Sequence, residues 1–407
     1  MPGRVRAAAA VLVAASVAPA AAGAAPRAQG APLALRLEQA LHAPHVSPAA
    51  SGAAVVDLAT GRAVFLHNPS LPLLPASNEK LAVTYAALTA LGPAFRIETD
   101  VLGEGRRVGP LWKGDVVLKG YGDPTLSPAD LASLARQVRA DGITAVAGRV
   151  VGDETWFDAR RTSPGWKAAF YIGESPPLSA LIVDRGLVGS WTSRNPALTA
   201  AQLFRKALAR AGVHVARGAV LGAAAADAVP LAAVDSPTLA SIVDFMDHES
   251  DNFTAEMLLK ELGAVQANRG TTAAGAGVVA GLLTQAHVPM AGVRIVDGSG
   301  LSLLDRMTAQ ALVSLLEVMW NDPGVRPELL ASLPVAGESG TLADRMRRTA
   351  ARGVVRAKTG TTDNASALSG FVGDRYAFSV LENGWPVSYA WARVAQDRFA
   401  TVLARAP

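Results

Sequence analysis

"LPASNEKLAVTYAAL", residues 74–88, puts Ser77 three positions ahead of Lys80 at what reads as the start of a helix. A helix N-terminus exposes unpaired N–H groups and the positive end of the macrodipole, so an acid is favoured in the first turn and an ammonium is not. Lys80 breaks that local rule. The residues behind it, Leu81, Val83, Tyr85, Ala86, Leu88 and Leu91, are apolar enough for a buried helix, and Pro75 just ahead is a start signal. Two readings follow. On one, Ser77 is an N-cap and Lys80 snorkels to solvent. On the other, Ser77 is a nucleophile whose own N–H faces a developing oxyanion, and Lys80, one turn on, takes its proton.

A chain of 407 residues, half of them apolar, is long enough for two domains or for one large domain with an insertion. Lys and Arg number 38 against 34 Asp and Glu, with no polybasic block, so no nucleic-acid partner is expected. The absence of cysteine removes disulfides and thiolate chemistry. The six histidines, at 42, 45, 67, 214, 248 and 287, have no metal-ligand spacing, so neither a metal nor another cofactor is expected.

At the N-terminus, Arg4 and Arg6 precede an alanine-rich apolar stretch and the small residues Ala22, Gly23 and Ala24, the layout of a secretory signal peptide over 1–24. Export to the periplasm or the extracellular space is the expectation. A retained N-terminal anchor is the alternative.

Beyond a linker, residues 33–42 read as a short helix, and "SGAAVVDLATGRAVFLHNP" as a hairpin turning at Ala59–Arg62. From 101 to 235 the chain is a series of short β segments and glycine turns, with helical pieces near 128–140 and 199–211. Helical pattern returns in "TLASIVDFM" and "FTAEMLLKEL", followed by a glycine-rich stretch at 270–281 and a helix over 308–320. The chain ends in the β-type segments "VVRAKTG" and "RYAFSVL" and a helix over 388–404. The layout predicts a mixed α/β (α+β) domain built from residues 32–100 and 236–407, with a β-rich insertion at 101–235.

Two further short motifs lie in the second half. Ser250, Asp251 and Asn252 precede "FTAEMLLKEL", and Lys358, Thr359 and Gly360 follow "GVVRA". Each alone is weak: Ser193, Arg194 and Asn195 also spell S-x-N, inside the insertion and before a proline, with no helix expected directly after them. The ordered set S-x-x-K, S-D-N, K-T-G is specific to β-lactamases and penicillin-binding proteins. Its chemistry is coherent. A serine can be deprotonated without histidine by a lysine whose charge is disfavoured by burial and by a second cation, a part Lys358 can play. Ser250 can relay a proton to the leaving amine, while the Asn252 amide can hold Lys80 and bind a substrate carbonyl. Lys358 and the Thr359 hydroxyl can bind a free carboxylate, and Gly360 leaves room for backbone to approach substrate.

"PASNEKL", "GYGDPTLS", "GDETWFD", "SALIVDRG", "ESDNFTAEMLLKEL", "DGSGLS", "GTLADRM" and "RAKTGT" followed by "ALSGFV" occur in that order. With them the sequence resembles the D-alanyl-D-alanine carboxypeptidase/endopeptidase family, the class C low-molecular-mass penicillin-binding proteins. The resemblance implies a penicillin-recognising serine transferase/hydrolase fold, an antiparallel sheet flanked by helices. It also implies an acyl-enzyme on Ser77, peptidoglycan stem peptides as substrate, β-lactam antibiotics as acylating inhibitors, and a backbone N–H of Thr361 that joins that of Ser77 in an oxyanion hole. A β-lactamase or esterase of the same fold, or a non-catalytic wall-binding or β-lactam-sensing protein, is the alternative. Two departures stand out. The insertion is shorter than is usual in the family, because "SALIVDRGLVGSW" runs almost directly into "NPALTAAQLF". And "PGWKAAFYIGESPP", where members carry an acid for the substrate side chain, offers Lys167 and only Glu174. "DGSGLS" offers Ser299 as a rival nucleophile, but without the G-x-S-x-G spacing of a nucleophile elbow it reads as a structural loop.

Overall fold

The computed structural model describes residues 31–406. The signal-peptide expectation for residues 1–24 therefore lies outside the described residues. A five-stranded antiparallel sheet brings the two ends of the chain together in the order Val355–Thr362, Ala365–Val372, Tyr376–Asn383, Ser51–Asp57, Arg62–His67. Its central strands are apolar on both faces because both faces are covered. Ala53 and Val55 point to one core, with Leu37 of helix Ala31–Leu41 and Phe399 of helix Tyr389–Ala404. Ala54 and Val56 point to the other, with the helices Lys80–Leu91, Leu239–His248, Asn252–Ala267, Thr272–Gln285 and Ala309–Asn321. The fold is the antiparallel sheet flanked by helices that the resemblance implies.

The glycine-rich stretch at 270–281 lies largely in the helix Thr272–Gln285. Its glycines serve close packing. A Cβ on Gly275 would overlap the Leu259 carbonyl, and one on Gly263 would stand 2.8 Å from the Gly275 nitrogen, so these two helices touch backbone to backbone.

Between Glu98 and Asp235 a second sheet forms around Glu98–Val108 and Leu111–Gly120, and the helices Pro128–Ala140 and Pro196–Arg210 pack on it around a separate core. Its pairing is mixed: Leu111–Gly120 is antiparallel to Glu98–Val108 but parallel to Val150–Asp153. The S-x-N at Ser193 does lead straight into a helix, contrary to the sequence reading. Asn195 is the N-cap residue, and Ser193 accepts its N–H at 3.1 Å and meets the Thr199 hydroxyl at 2.7 Å. That serine braces a helix start. Among the described residues no helix is long and apolar enough to cross a membrane.

Candidate active site

Ser77 lies in the 3-10 turn Ala76–Glu79, and Lys80 is the first residue of the helix that follows. No side-chain cap bond forms at either start, which removes the N-cap reading of Ser77. The turn is pressed onto the strand Val355–Thr362: the Asn78 amide donates to the Lys358 carbonyl at 3.0 Å, and a Cβ on Gly360 would sit 2.9 Å from the Pro75 carbonyl oxygen. The room at Gly360 is thus occupied by the Ser77 turn, not held open for substrate.

The Lys80 side chain is fully buried, and its Nζ donates to Ser77 Oγ at 2.9 Å, Asn252 Oδ1 at 2.8 Å and the Ser299 carbonyl at 2.8 Å. The Asn252 oxygen faces Lys80 because the amide nitrogen is engaged on the other side, with the Glu174 carbonyl at 3.2 Å. Burial lowers the Lys80 pKa to about 8, against the opposing pull of Asp297 and other acids. Desolvation is thus the leading cause. The repulsion expected from a second cation is felt at Lys358, which burial first and Lys80 second bring down to about 7, against Asp247.

Ser250 and Asn252 are placed by the start of helix Asn252–Ala267, which Asp251 caps by accepting the Thr254 N–H at 2.8 Å. Arg185 holds the same carboxylate at 2.6 Å. Ser250 has φ of 60°, a left-handed conformation that costs a residue with a Cβ about 1–3 kcal/mol. That conformation sets its hydroxyl 2.8 Å from the Lys358 Nζ. Lys358 is itself fully buried, so its ammonium reaches Ser250 and the Thr359 carbonyl and not the open cleft. Its expected grip on a free carboxylate can only be indirect.

"DGSGLS" lies directly beneath. Asp297 accepts from the Gly300 and Ser302 N–H groups, the Trp166 indole and the Ser299 hydroxyl. Glu256 accepts the Gly298 and Ser299 N–H groups at 3.0 and 2.8 Å and is bonded to Ser163. Ser299 is completely buried with its hydroxyl committed to an acid, which fits the structural-loop reading, and its carbonyl holds Lys80. That carbonyl is a site group the sequence reading missed, since a main-chain oxygen has no residue type to betray it. Glu79 is also buried here, and desolvation, then Asp297 and Glu256, push its pKa well above the ordinary range.

A cleft of about 430 Å³ opens above these groups, lined by Ser77, Glu174, Ser250, Asn252, Thr359 and Thr361 among others. The segment that supplies Glu174 is tied to the main sheet: Lys167 pairs with Asp363 at 2.7 Å, in the hairpin turn after K-T-G. Ser77, Lys80, Ser250, Asn252, Lys358, Thr359 and Thr361 are therefore gathered in one place from three distant stretches of chain. Among the described residues there is no cluster of ligating side chains able to hold a metal ion.

Comparison with known proteins identifies the fold and the family. Among solved structures, penicillin binding protein 4 of Haemophilus influenzae superposes with a TM-score of 0.80 over 91% of this chain and 98% of that one, at 21% identity. A penicillin G-acylated endopeptidase of Bdellovibrio bacteriovorus gives 0.56 over 86% and 90%, at 18% identity. By sequence, a D-alanyl-D-alanine carboxypeptidase of Actinomadura sp. (strain R39) is 36% identical over 86% of this chain and 80% of its own length. A carboxypeptidase of Mycobacterium tuberculosis is also 36% identical, over 86% and 79%. The profile of the D-Ala-D-Ala carboxypeptidase 3 (S13) family matches residues 33–192 and 187–406. With nearly all of the described chain covered and the three motifs in one cleft, this protein belongs to the D-Ala-D-Ala carboxypeptidase 3 (S13) family of serine peptidases.

Proposed function

We propose that this chain is an exported serine D-Ala-D-Ala carboxypeptidase that cleaves peptidoglycan stem peptides through an acyl-enzyme on Ser77. The observation that carries the reading is the set of partners around Lys80 Nζ. A neutral amine has two N–H donors and one lone pair. Asn252 Oδ1 and the Ser299 carbonyl can only accept, so they take the two donors and leave the lone pair directed at the Ser77 hydroxyl. Lys80 is thereby aimed as a base.

The steps follow from that arrangement. Ser77 Oγ attacks the carbonyl of the penultimate D-Ala as its proton passes to Lys80, and the oxyanion develops against the N–H groups of Ser77 and Thr361. The C–N bond then breaks. The proton that Lys80 has taken passes on through the Ser250 hydroxyl, which Lys358 orients, to the leaving amine, and D-Ala departs. Water then attacks the ester as its proton passes to Lys80, which returns that proton to the departing Ser77 Oγ and frees the serine. A β-lactam enters by the same attack, but its leaving group stays tethered in the cleft and obstructs that water.

The family match breaks at 187–192, inside the region where the sequence suggested a shortened insertion, which supports reading the unit from about 98 to 235 as a reduced form of the family's inserted domain. Incubation with purified muropeptides and mass analysis of the products tests the reading. Loss of one alanine from pentapeptide stems is expected. Unchanged pentapeptides after prolonged incubation with folded enzyme would overturn it.

A further inference from the structure

The substrate just proposed ends in a free carboxylate, yet the Lys358 ammonium is buried and already donates to Ser250 and to the Thr359 carbonyl. Among the cleft residues two other cations appear, Arg345 and Arg393. Arg345 is committed: its guanidinium binds Asp397 at 2.7 Å and Gln396 at 3.1 Å, with 12% of the side chain exposed. Arg393 stands one helical turn earlier on Tyr389–Ala404, is exposed, and forms no ion pair or side-chain hydrogen bond among the described residues. Asp344, an acid that also lines the cleft, is bonded to Arg347.

Hydroxyl donors line the same cleft. Thr359 donates its proton to Thr341 at 2.8 Å, which leaves the Thr341 O–H free to point into the cleft beside that of Thr361. A carboxylate offers two oxygens that match a planar guanidinium fork and still accept from a hydroxyl. We propose that Arg393 is a specificity residue of this enzyme, pairing its guanidinium with the terminal carboxylate of the substrate while the Thr341 and Thr361 hydroxyls complete the cradle. The pairing forms on binding and leaves the chemistry at Ser77 to the groups already described. The inference rests on the D-Ala-D-Ala reading above.

The test compares substrates with and without the charge, using parent, Arg393→Ala and Arg393→Lys proteins. A depsipeptide or thiolester ending in a free carboxylate is assayed beside its methyl ester or carboxamide, and acylation by benzylpenicillin beside that by its methyl ester. Arg393→Ala should lower kcat/KM and the acylation rate for the carboxylate forms by about tenfold or more, mainly through KM, and leave the neutral forms within about twofold. Arg393→Lys should recover part of the loss. An equal fall on charged and neutral substrates would assign Arg393 a structural part and overturn the proposal, as would an unchanged preference for the free acid. Failure of the parent on every substrate would instead overturn the peptidase reading, and this inference with it.

Discussion

The Ser299 carbonyl accepts a 2.8 Å hydrogen bond from Lys80 Nζ, and with Asn252 Oδ1 it fixes which direction is left for the lysine lone pair. Both acceptors are held from behind. Asp297 accepts the Gly300 N–H of the peptide that carries this carbonyl, Glu256 accepts the Ser299 N–H just before it, and the Asn252 amide nitrogen donates to the Glu174 carbonyl.

Replacement of Lys80 by arginine should abolish acylation, with a fall of about 10²–10⁴-fold or more, because a guanidinium keeps the charge but does not give up a proton. Stopped-flow acylation by a chromogenic β-lactam, with circular dichroism to verify folding, measures it. Activity within tenfold of the parent would remove Lys80 from the mechanism.

The pH dependence has a definite sign. Lys80 works as the neutral amine, and burial brings its pKa to about 8, so acylation should rise with pH and level off above about 8. Asn252→Asp sets a carboxylate beside the lysine, which favours the ammonium and should move the rise upward by about 1–3 pH units. A profile whose midpoint is unmoved in that variant would show that Lys80 is not the titrating group.

Gly300 has φ of 78°, and a Cβ there would overlap the Ala76 carbonyl at the turn that presents Ser77. Gly300→Ala should cost about 2–5 kcal/mol of stability and slow acylation as the turn is displaced. Chemical denaturation and acylation kinetics on the folded fraction provide the check.

Ser299→Ala keeps the carbonyl that holds Lys80 and removes only a buried hydroxyl bonded to Asp297. A stability loss of about 1 kcal/mol is expected, with acylation within tenfold of the parent. A larger loss of acylation would give the hydroxyl a part that its position does not suggest.

Much of this was legible in the chain, and the reason is physical. Lys80 in a helix's first turn violates the dipole rule, and a violation with an apolar run behind it marks burial with a purpose; the helix Lys80–Leu91 is buried over its first nine residues. The motif order then brought Ser250 and Lys358 to the same place. What sequence could not convey was direction. Lys358 reads as a carboxylate ligand until its ammonium is seen buried against Ser250, and Gly360 reads as substrate clearance until Pro75 is found in the space. Asn195 ahead of Pro196 reads as a chance motif with no helix behind it, although it is an N-cap residue with proline in the first helical position. Arg393 carries no motif at all, and only the fold brings it to the cleft.

The central claim is that Ser77, activated by Lys80, is the nucleophile, and intact-mass measurement after exposure to benzylpenicillin tests it most directly. The account predicts one penicilloyl adduct on the parent and on Ser299→Ala, long-lived because the tethered leaving group blocks water, and none on Ser77→Ala. An adduct that survives in folded Ser77→Ala would contradict it.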